Sequence, residues 1–154
     1  MAFDAFIKIG DIKGESLDDK HKDEIEVLSF SFGISRKNER GKPNIHDFTI
    51  LKRVDTASPQ LFDAACQGDP VRGNTLFTAR KAGEKPLEFL KIKMEDVIIT
   101  SVEHAGTAGP EGLPMESVSL DFRSVEIIAI RQKPDGSAGE TVTSECNARH
   151  RGVD

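Results

Sequence analysis

One segment constrains the fold more than any other: residues 25–35 read IEVLSFSFGIS. Large apolar side chains alternate there with small ones in two sets of opposite parity: Leu28, Phe30, Phe32 and Ile34 in one set, and Ser29, Ser31, Gly33 and Ser35 in the other. Successive side chains of a strand point to opposite faces, so the pattern predicts a strand with one apolar and one bare polar face. The polar face fits either a wall along a wide aqueous space or an ordinary surface strand.

Further segments of alternating or β-branched residues predict more strands. They are residues 2–9, 45–54, 74–81, 87–94 and 115–131. Residues 96–103 either continue the strand 87–94 or start a new one. In the last of these the apolar parity slips by one residue at Arg123-Ser124, which predicts a β-bulge in one long bent strand. Phe6 breaks the parity of the first strand and is expected to face a second apolar surface.

One short helix is predicted over residues 58–67. Ser58 is expected to be the N-cap, Pro59 suits the first helical position, and Gly68 ends the helix. The apolar face is predicted to hold Leu61, Phe62, Ala65 and Cys66, with Cys66 as a buried, inert thiol. A helix this short must pack on the sheet to be stable.

These elements predict a mainly β fold, an antiparallel β-barrel of two packed sheets or a tight sandwich, with the helix at its side. The 154 residues suit a single domain over 1–154. The tail 133–154 is rich in turn residues, and the sequence leaves open whether it forms a final strand or stays mobile.

Composition excludes several classes of function. No segment approaches the roughly 20 apolar residues of a membrane span, and the N-terminus lacks the basic start and apolar run of a signal peptide. The formal net charge of -5 disfavours a general nucleic-acid binder.

The sequence offers no catalytic, cofactor-binding or metal-binding residues. Its histidines, His21, His46, His104 and His150, lack metal-ligand spacing, and His21 is expected at the solvated surface. Cys66 and Cys146 are too few and too far apart for a disulfide framework or a zinc site. A barrel enzyme would need Cys66, His46 or His104 to meet a carboxylate in a cleft.

Charge is segregated along the chain. Residues 11–26 hold seven acidic and three basic residues, whereas residues 36–53 hold six basic and two acidic ones. Opposite patches on one molecule permit head-to-tail association of copies. Alternatively, the two segments neutralise each other within one chain.

Several segments in order resemble the Hcp family, the haemolysin-coregulated proteins of the bacterial type VI secretion system. They are FIKIGDIKGES (6–16), DEIEVLSFSFG (23–33), LKRVDTASPQLFDAACQG (51–68), EFLKIKMEDVIITSVEHAG (88–106) and ESVSLDFRSVEI (116–127). Each segment alone is modest, but their order and spacing make the resemblance specific from residue 2 to about 132.

The resemblance implies a structural subunit without enzymatic activity. Hcp proteins form hexameric rings that stack into a tube, which is propelled out of the cell beneath a trimeric spike protein by a contractile sheath. Small effector proteins ride inside some rings, and subunits are loaded from the cytoplasm without a signal peptide. The alternative left open is a monomeric β-barrel that binds a small ligand.

The resemblance also assigns candidate surfaces. Ser29, Ser31, Gly33 and Ser35 become candidate lumen-facing residues, with Ser31 at the place of a serine that affects cargo. The charged loop becomes the loop that reaches the neighbouring ring, through Arg36, Lys37, Asn38, Glu39, Arg40 and Lys42.

Overall fold

The described part of the chain forms a six-stranded and a four-stranded antiparallel sheet, a two-stranded ribbon and one helix. The computed structural model describes residues 2–83, 86–110 and 112–147. His150 and the end of the predicted tail, residues 148–154, lie outside the described residues.

The elements follow the predicted segments closely. In chain order they are β1 (Phe3–Ile9), β2 (Ile25–Val27), β3 (Ser29–Ser31), β4 (Ile34–Ser35), β5 (Asn44–Ile45), β6 (Phe48–Arg53), α1 (Ser58–Gln67), β7 (Thr75–Lys81), β8 (Glu88–Glu95), β9 (Ile98–Ala105), β10 (Met115–Asp121), β11 (Ser124–Gln132) and β12 (Ala138–Asn147). The mainly β class with one short helix is confirmed.

The strands form a six-stranded sheet in the order β12-β11-β8-β7-β1-β2 and a four-stranded sheet in the order β3-β6-β10-β9. A two-stranded ribbon joins β4 to β5. Among the described residues the two packed sheets do not close into a barrel, which corrects the predicted architecture. Part of the tail, open between strand and mobile segment in the sequence, forms the edge strand β12 against β11.

Phenylalanine rings fill the space between the two sheets. Phe48 and Phe77 are fully buried, with ring centroids 5.1 Å apart, and Phe30 lies 4.5 Å from Phe77. Aliphatic residues of both sheets complete this core, among them Ile7, Ile50, Met94 and Leu120. The alternation therefore predicts the core position of Phe30, but Ile34, predicted on the same apolar face, is 58% exposed on β4.

The chain crosses between the sheets at two places where the sequence predicts continuous strands. Residues 25–35 divide at Leu28, because β2 pairs with β1 in the larger sheet whereas β3 pairs with β6 in the smaller one. The crossing reverses the parity, so Leu28 is 41% exposed instead of facing the core with Phe30. Likewise, the slip at Arg123-Ser124 separates β10 from β11 in the other sheet, and the predicted single bulged strand is wrong.

Helix α1 has the predicted bounds but different contacts. Ala57 is its N-cap, and the Ser58 hydroxyl instead accepts a hydrogen bond from the Asp55 backbone N–H at 2.9 Å. Gly68 ends the helix with φ of 75°, in the left-handed region that favours glycine. Leu61 is buried but Phe62 is 55% exposed and Cys66 is exposed, so the predicted buried thiol is wrong.

The acidic loop between β1 and β2 folds back over the outer face of the larger sheet. His21, predicted at the surface, is buried with its ring stacked on Phe6 at 4.5 Å. Its Nδ1 lies 3.0 Å from Glu24 Oε2 and its Nε2 lies 2.7 Å from Glu88 Oε2. Phe6 thus has the second contact surface that its parity predicts.

A bidentate ion pair also holds this loop. Arg80 donates to both carboxylate oxygens of Asp18, at 2.6 and 2.9 Å. These hydrogen bonds from the guanidinium lower the pKa of Asp18 to about 2. Asp18 is therefore engaged by the subunit's own sheet.

Candidate functional site: the hydroxyl face of the four-stranded sheet

The outward side of the four-stranded sheet carries hydroxyl side chains on every strand. Ser31 of β3 lies opposite Thr49 of β6, and Thr49 lies opposite Ser119 of β10. Ser119 in turn lies opposite Ser101 of β9. Directly paired residues share a face of a sheet, so these four residues form one row across it.

A second row lies beside the first. It consists of Ser29, Leu51, Ser117 and Glu103 in the same strand order. We call the hydroxyl residues of both rows the hydroxyl face: Ser29, Ser31, Thr49, Ser101, Ser117 and Ser119. Within it, the Thr49 and Ser119 hydroxyls are hydrogen-bonded at 3.0 Å.

Two of the predicted lumen-facing residues lie on the hydroxyl face and two do not. Ser29 and Ser31 are exposed on β3, as their parity predicts. Gly33 follows the end of β3, and Ser35 belongs to β4, where its hydroxyl lies 3.1 Å from His46 Nε2. The alternation stops at Ser31 because the chain leaves the four-stranded sheet there.

The predicted ring-ring loop is a projecting, charged segment. It runs between β4 and β5, whose pairing of Ile34 with Ile45 closes its base. Arg36, Lys37, Asn38, Glu39, Arg40 and Lys42 are all exposed. Among the described residues no ion pair joins segment 36–53 to the acidic segment 11–26, so direct pairing between these two segments is not seen.

A buried ionic cluster supports the hydroxyl face from behind. Lys52 of β6 and Glu116 of β10 lie opposite each other on the inner side of the sheet, with side chains 1% and 0% exposed. The Lys52 ammonium donates to Glu116 at 2.5 Å and to Asp55 at 2.8 Å. Ser58, at the start of α1, donates to Glu116 at 2.8 Å, which ties the helix to the sheet.

The cluster also reaches the rim of the sheet. The half-exposed His104 of β9 has its Nε2 2.5 Å from the second oxygen of Glu116. Burial raises the pKa of the Glu116 carboxyl, but hydrogen bonds from Lys52, His104 and Ser58 together lower it below its ordinary value. Glu116 is therefore held as a carboxylate with both oxygens engaged.

Sequence reasoning missed this cluster, although a signal was present. Lys52 has the same parity as the apolar residues Phe48 and Ile50, and Glu116 has the same parity as Val118 and Leu120. Opposite charges at apolar positions of two strands indicate a buried ion pair, because an unpaired charge is too costly to bury. The same alternation in β10 also places Ser117 and Ser119 on the opposite, hydroxyl side.

Comparison with known proteins decides the family. Residues 6–128 match the family described as type VI secretion system effector, Hcp. The chain belongs to the Hcp family. Protein hcp1 of Pseudomonas aeruginosa is 37% identical over 145 residues, which cover 89% of each chain.

Solved Hcp structures share the fold. Hcp1 from Salmonella typhimurium is 35% identical, with a TM-score of 0.83 over 97% of this chain and 96% of that one. A type VI secretion system effector from Yersinia pestis is 33% identical, with a TM-score of 0.77 over 94% and 99% of the two chains. The resemblance found in the sequence is therefore confirmed.

Family membership establishes the broad function. The chain is a type VI secretion tube or effector protein, and Hcp is a family of secreted structural proteins rather than known enzymes. Within the described residues no helix is long and apolar enough to span a membrane.

Removing the Glu116 charge should destabilise the subunit strongly. In Glu116→Gln the Lys52 ammonium stays buried and loses its closest carboxylate, so we expect the free energy of unfolding to fall by about 3–5 kcal/mol. Chemical denaturation measures the loss. Glu103→Gln is the matched control, since Glu103 lies on the neighbouring strand with an exposed side chain, and it should change stability by less than about 0.5 kcal/mol.

The same residue should give stability a dependence on acid pH. The pKa of Glu116 is lower in the folded than in the unfolded chain, so its contribution is complete above the ordinary value of 4.5 and is lost as pH falls through the lower folded value. The free energy of unfolding should be measured from neutral pH down to a pH below the folded-state pKa of Glu116. Over this range it should fall more steeply for wild type than for Glu116→Gln. Parallel curves would contradict the assignment.

Proposed function

We propose that this chain is the repeating subunit of a type VI secretion inner tube, and that the hydroxyl face lines the tube's lumen. Six copies would form a ring with their four-stranded sheets turned toward a common axis, and the rings would stack head to tail. The observation that carries the proposal is the row of small hydroxyl side chains across all four strands. Membership in the Hcp family supports self-assembly into a tube.

The chemistry of the hydroxyl face suits the wall of a passage. An ordinary exposed sheet face is usually covered by long charged or β-branched side chains, whereas Ser29 and Ser31 leave the backbone nearly bare. Short neutral hydroxyls bond water and carry no charge, and among them the second row exposes one apolar side chain, Leu51, and one carboxylate, Glu103. Such a wall would admit a small effector protein and release it again.

The charged segments suit the contact between stacked rings. A ring closes its lateral contacts, but stacking must join two different surfaces and remain open-ended. The loop of Arg36–Lys42 projects from the subunit with a net positive charge, while the acidic loop 11–26 carries the opposite sign. Contacts of this kind are weak and screened by salt, which suits a tube that must assemble and later come apart.

Further partners follow from the place of such a tube in the apparatus. A contractile sheath would surround it, a trimeric spike protein would sit on its end, and small effectors would occupy its lumen. The subunits would assemble in the cytoplasm and leave the cell without a cleaved signal peptide. No step requires a cofactor, nucleic acid or membrane insertion.

Replacing Ser31 by a bulky charge should impair cargo and not assembly. In Ser31→Arg we expect rings of normal mass, because the side chain is exposed on the hydroxyl face. A co-expressed effector should have a shorter half-life, and less of it should co-purify with the rings. Thr143→Arg is the control, since Thr143 is also exposed on a strand but lies on the six-stranded sheet. Equal effector levels in wild type and Ser31→Arg would contradict a lumenal position, as would unfolding of the variant.

Stacking should weaken as salt rises. At low ionic strength sedimentation should show assemblies larger than one ring, and these should dissociate to single rings when salt shortens the Debye length to about 3 Å near 1 M. Stacks that persist unchanged at high salt would reject an electrostatic origin for the contact.

A further inference from the structure

One row of side chains runs across all six strands of the larger sheet. It is Val142, Ala129, Leu90, Ala79, Ala5 and Val27, each directly opposite the next. The row lies on the side of the sheet that faces the core. In the middle it is buried, with Ala79 at 1% and Ala5 at 5% exposure.

Toward β12 the residues of this row are no longer buried. Ala129 is exposed and Val142 is 60% exposed, although both lie on the core-facing side. The neighbouring row shows the same change, since Ile92 is 3% exposed and Ile127, directly opposite it, is 36% exposed. The β11–β12 hairpin therefore projects beyond the four-stranded sheet. We call its uncovered residues Ile127, Ala129 and Val142 the hairpin patch.

A groove with apolar side chains lies at the other end of the same row. Val27 is followed by Leu28, the crossing residue, which is 41% exposed. Leu28, Leu17 and Phe3 line a groove of about 440 Å³ beside β2. Leu17 is 88% exposed and Phe3 is 44% exposed, so this groove, which we call the corner groove, presents three large apolar side chains to its surroundings.

From these two surfaces we infer that the hairpin patch of one subunit docks in the corner groove of the next copy around the ring. A ring contact is heterologous, so it must join two different surfaces of the same chain. Rotation about the ring axis also preserves height along that axis. The hairpin patch and the corner groove are two different surfaces at opposite ends of one row of paired residues. When the strands run roughly along the ring axis, the two ends of this row also lie at the same height along it.

A second copy is the occupant that the arrangement favours. The two exposed surfaces occur once each per subunit, and a single repeated contact covers both of them in a closed ring. The contact also covers the two edge strands of the six-stranded sheet, β12 and β2, which otherwise offer backbone groups for unwanted pairing. Charge also favours a second copy. The lining of the corner groove includes Asp4, Asp18 and Glu26 against one cation, Arg80, so the groove is net negative, whereas the basic Arg131 follows the hairpin patch on β11.

The inference rests on the proposed ring and adds where its lateral contact lies. Val142→Lys and Leu28→Glu should each abolish the ring, leaving the 16.9 kDa subunit in size exclusion with light scattering. The double variant Val142→Lys/Leu28→Glu should restore the ring, because the two new charges would meet across the contact. Thr143→Lys is the matched control, since it lies next to Val142 but points to the opposite face of β12, and it should keep the ring intact.

Disulfide trapping tests the contact independently of ring stability. In a background with Cys66→Ser and Cys146→Ser, the pair Val142→Cys and Leu28→Cys should give a ladder of covalent oligomers on oxidation, up to a closed ring. Neither single cysteine variant should give more than a dimer. The pair Thr143→Cys and Leu28→Cys should give no ladder.

The outcomes separate this contact from the proposed function. One set of results would overturn the contact but not the proposed function: wild type forms rings, both single charged variants also form rings, and the cysteine pair gives no ladder. A wild-type protein that never forms rings would overturn both. A ladder from the Val142 and Leu28 pair supports the contact even where a charged variant fails to fold.

Discussion

Side-chain alternation in the four-stranded sheet is the constraint on which the rest of the structure depends. Each residue that contributes to the core on one side forces its neighbours onto the other side. Phe30, Ile50 and Val118 thus build the core, while Ser31, Thr49 and Ser119 form the hydroxyl face. The apolar core and the polar wall are two consequences of the same strands, and neither can change its register without disrupting the other.

The buried Lys52–Glu116 pair adds a directional element to an otherwise apolar interior. Hydrophobic contacts tolerate small shifts of one layer over another, whereas a buried ion pair fixes which residues face each other. The pair joins β6 to β10, Ser58 connects it to α1, and His104 extends it to β9. The cluster thereby fixes the register of three of the four strands that carry the hydroxyl face, and it holds the helix against them.

Local pattern predicted the elements well and their assignment to sheets poorly. Residues 58–67 gave the helix with its bounds because Pro59 and Gly68 act locally at each end. The crossings at Leu28 and at Phe122-Arg123 depend on which strand pairs with which, and this information lies tens of residues away. For the same reason the alternation indicated exposed Ser29 and Ser31 but extended the set too far, to Gly33 and Ser35. The surface position that the sequence predicts for His21 is wrong because its burial comes from contacts of the loop with Phe6 on β1 and Glu88 on β8.

In the proposed tube the subunit is incomplete alone, because its hydroxyl face would line a lumen and its exposed apolar sheet edges would contact neighbouring copies. The mass of the wild-type protein in solution tests this most directly. Light scattering over a range of concentrations and ionic strengths should give six times the 16.9 kDa subunit mass, or multiples of that ring. A mass of one subunit under every condition would contradict the account.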